Sequence, residues 1–432
     1  MSIETSNKRY LILLLMAFAT LLNVVQHLEF SSISNVVTYY YKVSPVMVTL
    51  TSLVFSISSV LLIYPVAVIV EKFGARPALV FGSFFSAFAA NFKCFTVKSD
   101  LFGLLLLGQV FAAIGYTLAA PTTPRLVAAW FKSDETAMVM GILNVSALLA
   151  SIICFWLPTL LFENLEDKLV VESKLAQMSL ILAVASTIMF VAMVIFLKEE
   201  PLKPPTLAEK ARKLNRSTSN TCEPLSKLLE NKNYILLGIS LLMNFKLGIV
   251  FTVLLNQLIM SMFDTGVHLV TACGTFYNIA GFFGALILPF LIDKYKKFKS
   301  ILITCYTFLI AFAALLFACV WYKNVILLLL TMFGIGLFHC GYTVIATDTL
   351  IEITYPYPES KAIGLLFNVS SIFTCILTPM MSSIIATFGV IYVHTVICCL
   401  LMIGFICLCF VKWDLKRVRA NSEISPLILT EE

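Results

Sequence analysis

Charged residues are scarce in this sequence. Only 12% of its 432 residues are charged, 60% are hydrophobic, and the mean hydropathy is +0.96. A soluble chain of this length would need far more polar surface to cover its folded domains. The composition therefore excludes a soluble protein and predicts an integral membrane protein.

Signatures of enzymes, metal sites and nucleic-acid binding are also lacking. The 12 cysteines do not show the paired spacing of metal ligands, and there is no HExxH motif, nucleophile elbow or phosphate-binding loop. The net charge of +6 comes from short basic clusters between apolar runs, a pattern typical of membrane topology. We predict no catalysis, no metal or cofactor, and no nucleic-acid partner.

Long apolar runs are abundant. Each lasts roughly 20 to 28 residues, which is enough for a helix to cross the hydrocarbon core. The predicted fold class is an all-α membrane protein with twelve transmembrane helices in two pseudo-symmetric six-helix bundles. The runs begin near Tyr10, Val46, Pro77, Leu101, Thr136, Lys174, Asn233, Val267, Ser300, Val325, Lys361 and Gly389.

The basic residues predict the topology. Most of the 30 lysine and arginine residues fall on the side of the two termini, which predicts that both termini are cytoplasmic. A charged segment rich in proline, serine and threonine separates six runs from six. The predicted domains are an N-terminal bundle at 1–197, a cytoplasmic linker at 198–232, a C-terminal bundle at 233–412 and a cytoplasmic tail at 413–432.

The two halves carry a matching loop motif. An acidic, a basic and an aromatic residue follow the second run, and the same three types follow the eighth run 222 positions later. Alone, such a pair is usually a solvated helix end, but its repetition at matched positions predicts a cytoplasmic gate. The predicted gate residues are Glu71, Lys72, Arg76, Arg125, Asp293, Lys294, Asp348 and Glu352.

This organisation resembles the major facilitator superfamily, whose signature loop is similar to residues 71–76. More specifically, the segments "NVVQHLEFSSISNV", "LLNQLIM", "IEITYP" and "GLLFNVSSIF" resemble the feline leukaemia virus subgroup C receptor family. The resemblance implies alternating-access carriers of choline and ethanolamine, with haem export attributed to one branch. It also implies an aromatic cage with glutamines, which holds a quaternary ammonium by cation–π contact.

The implied cage is altered in this sequence, so the resemblance carries over the fold better than the substrate. Phe251, Tyr116 and Tyr342 are candidates to rebuild an aromatic wall. The substitutions are His27 for the cage tryptophan of the first span, Tyr116 for the fourth-span glutamine, Ile249 for the seventh-span tyrosine and Ser371 for the eleventh-span glutamine.

Polar residues inside the spans are costly and are therefore candidate functional residues. A lone membrane histidine is also often only a helix contact, so both interpretations stay open for His27 and His339. Lys246 favours an anionic solute, which leaves the sign of the substrate open. The predicted substrate-binding residues are His27, Tyr116, Lys246, Phe251, His339, Tyr342 and Ser371.

Glu29 is predicted to lie on a different helix face from His27, because residues two apart on a helix point about 200° apart. We consider it a candidate coupling carboxylate, a counter-charge for a cationic solute, or an outer-end residue that reaches the headgroups. Lys93 lies near the outer end of its span, from which its ammonium could snorkel to the membrane surface.

The C-terminal tail carries an acidic dileucine pattern made by Glu423, Leu427 and Ile428. Clathrin adaptors bind such patterns, but they are common by chance, so the plasma membrane and endolysosomal membranes both stay open. The sequence predicts a monomeric secondary-active or facilitative transporter of a small organic solute, choline-like, ethanolamine-like or haem-related, that works by alternating access in the lipid bilayer. The alternative is a receptor or nutrient sensor that keeps the fold but lacks transport.

Overall fold

The architecture is helical. A computed structural model describes residues 8–120, 122–131, 135–162, 168–199, 226–263, 267–295, 297–354 and 359–413. These ranges contain 15 helices and no strand. The helices are α1 (Lys8–Leu28), α2 (Ser34–Tyr41), α3 (Pro45–Phe73), α4 (Ala75–Cys94), α5 (Phe102–Ala119), α6 (Thr123–Trp130), α7 (Thr136–Leu161), α8 (Lys168–Phe196), α9 (Ser226–Glu230), α10 (Lys232–Met262), α11 (Val267–Tyr295), α12 (Phe298–Tyr322), α13 (Val325–Thr354), α14 (Glu359–Thr387) and α15 (Val390–Phe410).

Each of the twelve predicted spans corresponds to one long helix. Within the described ranges, 11 helices are long and apolar enough to cross a membrane. The twelfth, α4, has 20 residues and the necessary length, but Asn91 and Lys93 lower its hydropathy. The all-α prediction is confirmed, and α4 stands out as the most polar of the spans.

Local sequence sets where helices begin and end. At the start of α3, the Ser44 hydroxyl accepts a hydrogen bond from the Met47 amide (3.4 Å), and Pro45 occupies the first helical turn. Gly74 separates α3 from α4 with φ of 97°, a backbone conformation that favours glycine. The segment 71–76 therefore contains a sharp turn between two spans.

The helices fall into two compact units. The first contains the described residues of Met1–Asn220 together with Val253–Met260 and Thr265–Thr271. The second contains those of Thr221–Thr252, Ser261–Asp264 and Ala272–Glu432. In the first unit α4 packs along α5 and α8, and in the second α12 packs along α13.

The turn at Gly74 is closed by a side chain from the end of α8. The Glu199 carboxylate accepts hydrogen bonds from the backbone amides of Ala75 (2.6 Å) and Arg76 at the start of α4. These amides have no partner inside their own helix, and the positive end of the helix dipole favours a carboxylate there. Glu199 therefore acts as an N-cap supplied by another helix.

Removing this cap is expected to destabilise the first unit. Because two amides of α4 lose their acceptor, Glu199→Ala should lower the free energy of unfolding by about 0.5–2 kcal/mol. The measurement is thermal unfolding of the purified protein in detergent. The control is Glu230→Ala, which removes an exposed carboxylate at the end of α9; equal unfolding temperatures for the two variants would contradict the capping role.

Candidate functional site: two ring clusters and a buried ion pair

Three rings from different helices meet in the first unit. The ring centroid of His27 (α1) lies 4.7 Å from that of Phe55 (α3) and 6.2 Å from that of Tyr116 (α5). Phe55 and Tyr116 are 5.8 Å apart and nearly perpendicular. Phe55 is buried, whereas His27 and Tyr116 are partly exposed, so Phe55 supports the two rings that a ligand can reach.

The second unit holds a similar cluster. The ring of Tyr277 (α11) lies 5.9 Å from that of Phe251 (α10) and 5.9 Å from that of His339 (α13). The Tyr277 hydroxyl and His339 Nδ1 are 2.9 Å apart and share a hydrogen bond. As in the first unit, three spans each contribute one ring.

The two clusters occupy matched positions of the internal repeat. Phe251 follows His27 by 224 positions, Tyr277 follows Phe55 by 222, and His339 follows Tyr116 by 223. Sequence reasoning missed Phe55 and Tyr277, although the 222-residue offset of the loop motif relates them directly. The imidazole belongs to the first span of one half and to the fourth span of the other, so the repeat conserves the rings but exchanges their chemistry.

The position of the His339 ring depends on a close approach between α10 and α13. Its imidazole lies directly against the backbone of Gly248, where a Cβ atom would overlap Nε2 and Cε1. The neighbouring Asn244 amide donates to the His339 carbonyl (3.1 Å) and to the Thr343 hydroxyl (2.9 Å). Gly248 therefore provides the space in which the His339 ring stands beside Tyr277.

A buried ion pair lies beside the first cluster. Lys93 Nζ donates to Glu29 Oε1, and the two side chains are only 2% and 4% exposed. Gln109 Nε2 donates to the same carboxylate oxygen at 3.1 Å, and the Lys93 ammonium lies 5.6 Å from the centre of the Phe30 ring. The expectation that Lys93 snorkels is wrong, because its charge is neutralised inside the unit by Glu29.

The other residues predicted to bind substrate have different surroundings. The hydroxyl of fully buried Tyr342 lies 2.7 Å from that of Ser240, and its ring packs at right angles to Tyr306 (4.8 Å). The Ser371 hydroxyl donates to a carbonyl of its own helix (2.9 Å). Neither belongs to the two clusters that contain His27 and His339, and the Lys246 side chain lies outside the described residues.

The predicted gate residues are partly described. Arg125 donates to the carbonyl of Val70 near the end of α3. The side chains of Lys72, Arg76, Lys294 and Asp348 are exposed, and that of Glu352 is half-buried. The side chains of Glu71 and Asp293, and the tail residues Glu423, Leu427 and Ile428, lie outside the described residues. The salt-bridge layer and the adaptor motif stay predictions.

Acidic and metal-ligating side chains are dispersed in the part of the chain that the structure describes. No group of three or more His, Cys, Asp or Glu residues there could hold a metal ion. This part of the chain offers a small organic ligand ring surface with hydroxyl and imidazole groups at its edges. The buried Glu29 carboxylate already has Lys93 and Gln109 as partners.

Comparison with known proteins gives a consistent result. The family model for the Major Facilitator Superfamily matches residues 11–359. An uncharacterised MFS-type transporter of Caenorhabditis elegans is 29% identical, with 96% of this chain and 71% of the relative aligned. The choline/ethanolamine transporter flvcr2a of Danio rerio is 28% identical over 96% of this chain and 89% of its own. The choline/ethanolamine transporter FLVCR2 of Homo sapiens is 25% identical over 100% and 82%.

Proposed function

Because the chain belongs to the major facilitator superfamily of multi-pass membrane transporters, we propose that its solute is a small amine of the choline and ethanolamine type. Those of the similar proteins that are named for a substrate are choline/ethanolamine transporters, and their alignments cover nearly the whole chain. The single observation that carries the proposal is the pair of three-ring clusters at matched positions of the repeat.

The chemistry of the clusters suits such an amine. A quaternary or primary ammonium is attracted to the faces of aromatic rings, with about 0.5–2 kcal/mol per contact. Each cluster also contains imidazole and phenol groups that can hydrogen-bond the hydroxyl group that choline and ethanolamine share, namely His27 and Tyr116 in the first unit and Tyr277 and His339 in the second. Both ends of the solute therefore have partners of matching chemistry.

The ion pair also favours ring-based recognition. Glu29 is already compensated by Lys93 and Gln109, so a cationic solute that used it as a counter-charge would first have to displace a buried ammonium. Displacing it is costly, because breaking a buried pair leaves an uncompensated charge. We therefore assign recognition of the ammonium to the rings and not to Glu29.

Transport is the function that the family supports, which disfavours a receptor that has lost transport. We further propose that the protein acts as a monomer, without enzymatic chemistry, and that both termini are cytoplasmic. We also propose that the tail pattern binds clathrin adaptors at the plasma membrane or at an endolysosomal membrane. Haem is a weaker candidate, because the names of the similar proteins specify choline and ethanolamine.

The test is uptake of labelled choline and ethanolamine by the purified protein in liposomes. His27→Ala and Tyr116→Leu should each raise the KM by about 2- to 30-fold, because each removes a ring contact of about 0.5–2 kcal/mol. The matched control is Tyr392→Leu, which removes an exposed tyrosine of α15 and should leave the KM unchanged. Absence of uptake of both amines, or a KM that is insensitive to both ring substitutions, would contradict the proposal.

A further inference from the structure

The turn that follows the first span is buried, with residues 29–33 each at most 5% exposed, so unpaired backbone groups there would be costly. α1 ends at Leu28, α2 begins at Ser34, and residues 29–33 form a turn between them. A helix end leaves several carbonyls without partners in the helix, and inside a membrane protein there is little water to satisfy them. Such a turn persists only when other groups supply the missing hydrogen bonds.

The backbone of the turn supplies two of them, since the amides of Glu29 and Ser32 donate to the carbonyls of Val25 (2.9 Å) and Leu28 (3.0 Å). Side chains of neighbouring helices supply the other two. Gln109 of α5 donates to the Gln26 carbonyl (3.1 Å), and Ser52 of α3 donates to the His27 carbonyl (2.7 Å). Cys154 of α7 lies 3.6 Å from the Val25 carbonyl. The last turn of α1 is thus held from three sides, and His27 is the ring that this turn carries.

Glu29 also stabilises the same turn, through an ion pair. Its carboxylate extends from the first residue after α1 to Lys93 on α4 and Gln109 on α5. Gln109 therefore contacts both the Gln26 carbonyl and the Glu29 carboxylate, one on each side of His27 in the chain. Because separating a buried ion pair is unfavourable, these contacts restrict rotation of the turn about the helix axis.

Rotation of this turn would move the His27 ring. One residue of slip turns an α-helix by about 100°, which would carry the imidazole away from Phe55, now 4.7 Å from it. We propose that Glu29, Lys93 and Gln109 are positioning residues for substrate recognition, which hold the His27 ring in the first cluster without touching the substrate. This inference rests on the proposed function, since it takes His27 as a binding residue.

The test is a double-mutant cycle on the KM for choline in liposomes. The Glu29→Leu/Lys93→Met variant removes both charges together and is expected to fold, because an apolar pair can replace a buried ion pair. Its KM should rise by about tenfold with an unchanged maximal rate. In the His27→Ala background the same pair of substitutions should change the KM by less than about twofold, because coupled residues are non-additive.

The control is Tyr40→Phe, which removes the hydrogen bond from Tyr40 to Glu172 (2.9 Å) in the same unit and should leave the KM unchanged. If the charge-free variant is not recovered folded, Gln109→Met serves in the same cycle. Equal KM changes with and without His27, or no change in either background, would overturn the positioning role alone. An unchanged KM for His27→Ala by itself would refute this inference, whereas the proposed function fails only if the KM is also insensitive to Tyr116→Leu or if neither amine is taken up.

Discussion

Replacing Lys93 alone with methionine is expected to prevent accumulation of folded protein. The substitution leaves the Glu29 carboxylate buried without its counter-charge, and breaking a buried pair in this way costs about 3–5 kcal/mol, which is a large fraction of the stability of a typical protein domain. Gln109 remains as a donor to the carboxylate, but one amide cannot neutralise a charge. The measurement is the yield of monodisperse protein in detergent and its unfolding temperature.

The second substitution distinguishes charge from shape. Adding Glu29→Leu to Lys93→Met should restore most of the yield, because the uncompensated carboxylate is then absent. Lys98→Met, which removes an exposed lysine in the loop after α4, is the control and should leave the unfolding temperature unchanged. If the single and double variants are equally poor, then methionine fails at position 93 for reasons of packing, and the electrostatic explanation is wrong.

Adding a methyl group at Gly248 is expected to disable the second ring cluster. The new Cβ of Gly248→Ala would overlap the His339 imidazole, which must leave its position beside Tyr277 or push α10 away from α13. Overpacking of this kind costs about 1–3 kcal/mol. We expect a lower unfolding temperature and at least a tenfold loss in uptake efficiency. A loss of about 1.4 kcal/mol in the binding free energy of the transition state already lowers the efficiency tenfold.

Two further variants make this prediction specific. Gly364→Ala lies on α14 of the same unit with open space around its Cβ position, and it should be neutral or slightly stabilising because alanine favours helix. Gly248→Ala combined with His339→Ala should recover stability but not uptake, because the clash is relieved while the ring is lost. Recovery of uptake in the combined variant would show that His339 is not needed at the site.

The helices themselves could be predicted well from the sequence. Membrane spans follow from length and hydropathy alone, because every backbone group in hydrocarbon must be satisfied within the segment. Even α4 was recognised as a span, although Asn91 and Lys93 make it the most polar. What hydropathy does not report is the end of α1 at Leu28, since the carbonyls of Gln26 and His27 just before it are satisfied by side chains distant in sequence.

The candidate site could be predicted only in part. His27 and Tyr116 were found because polar groups in spans are conspicuous, whereas Phe55 resembles any other apolar residue of its run until its position beside the His27 ring is known. The prediction that Lys93 snorkels is wrong for the same reason. Its sequence position allows snorkelling, and only the approach of α4 to the end of α1 gives it a buried partner.

The sequence by itself determined the membrane environment and the twelve spans, because these depend on composition and periodicity along the chain, and its motifs resemble those of the family that the comparison shows. The tertiary structure alone decided which polar residues meet. It gave His27 a place in a ring cluster and Glu29 a partner in Lys93, and it brought Phe251, Tyr277 and His339 together. Such contacts depend on the rotation and approach of neighbouring helices, which are set by packing across the unit and not by any local pattern.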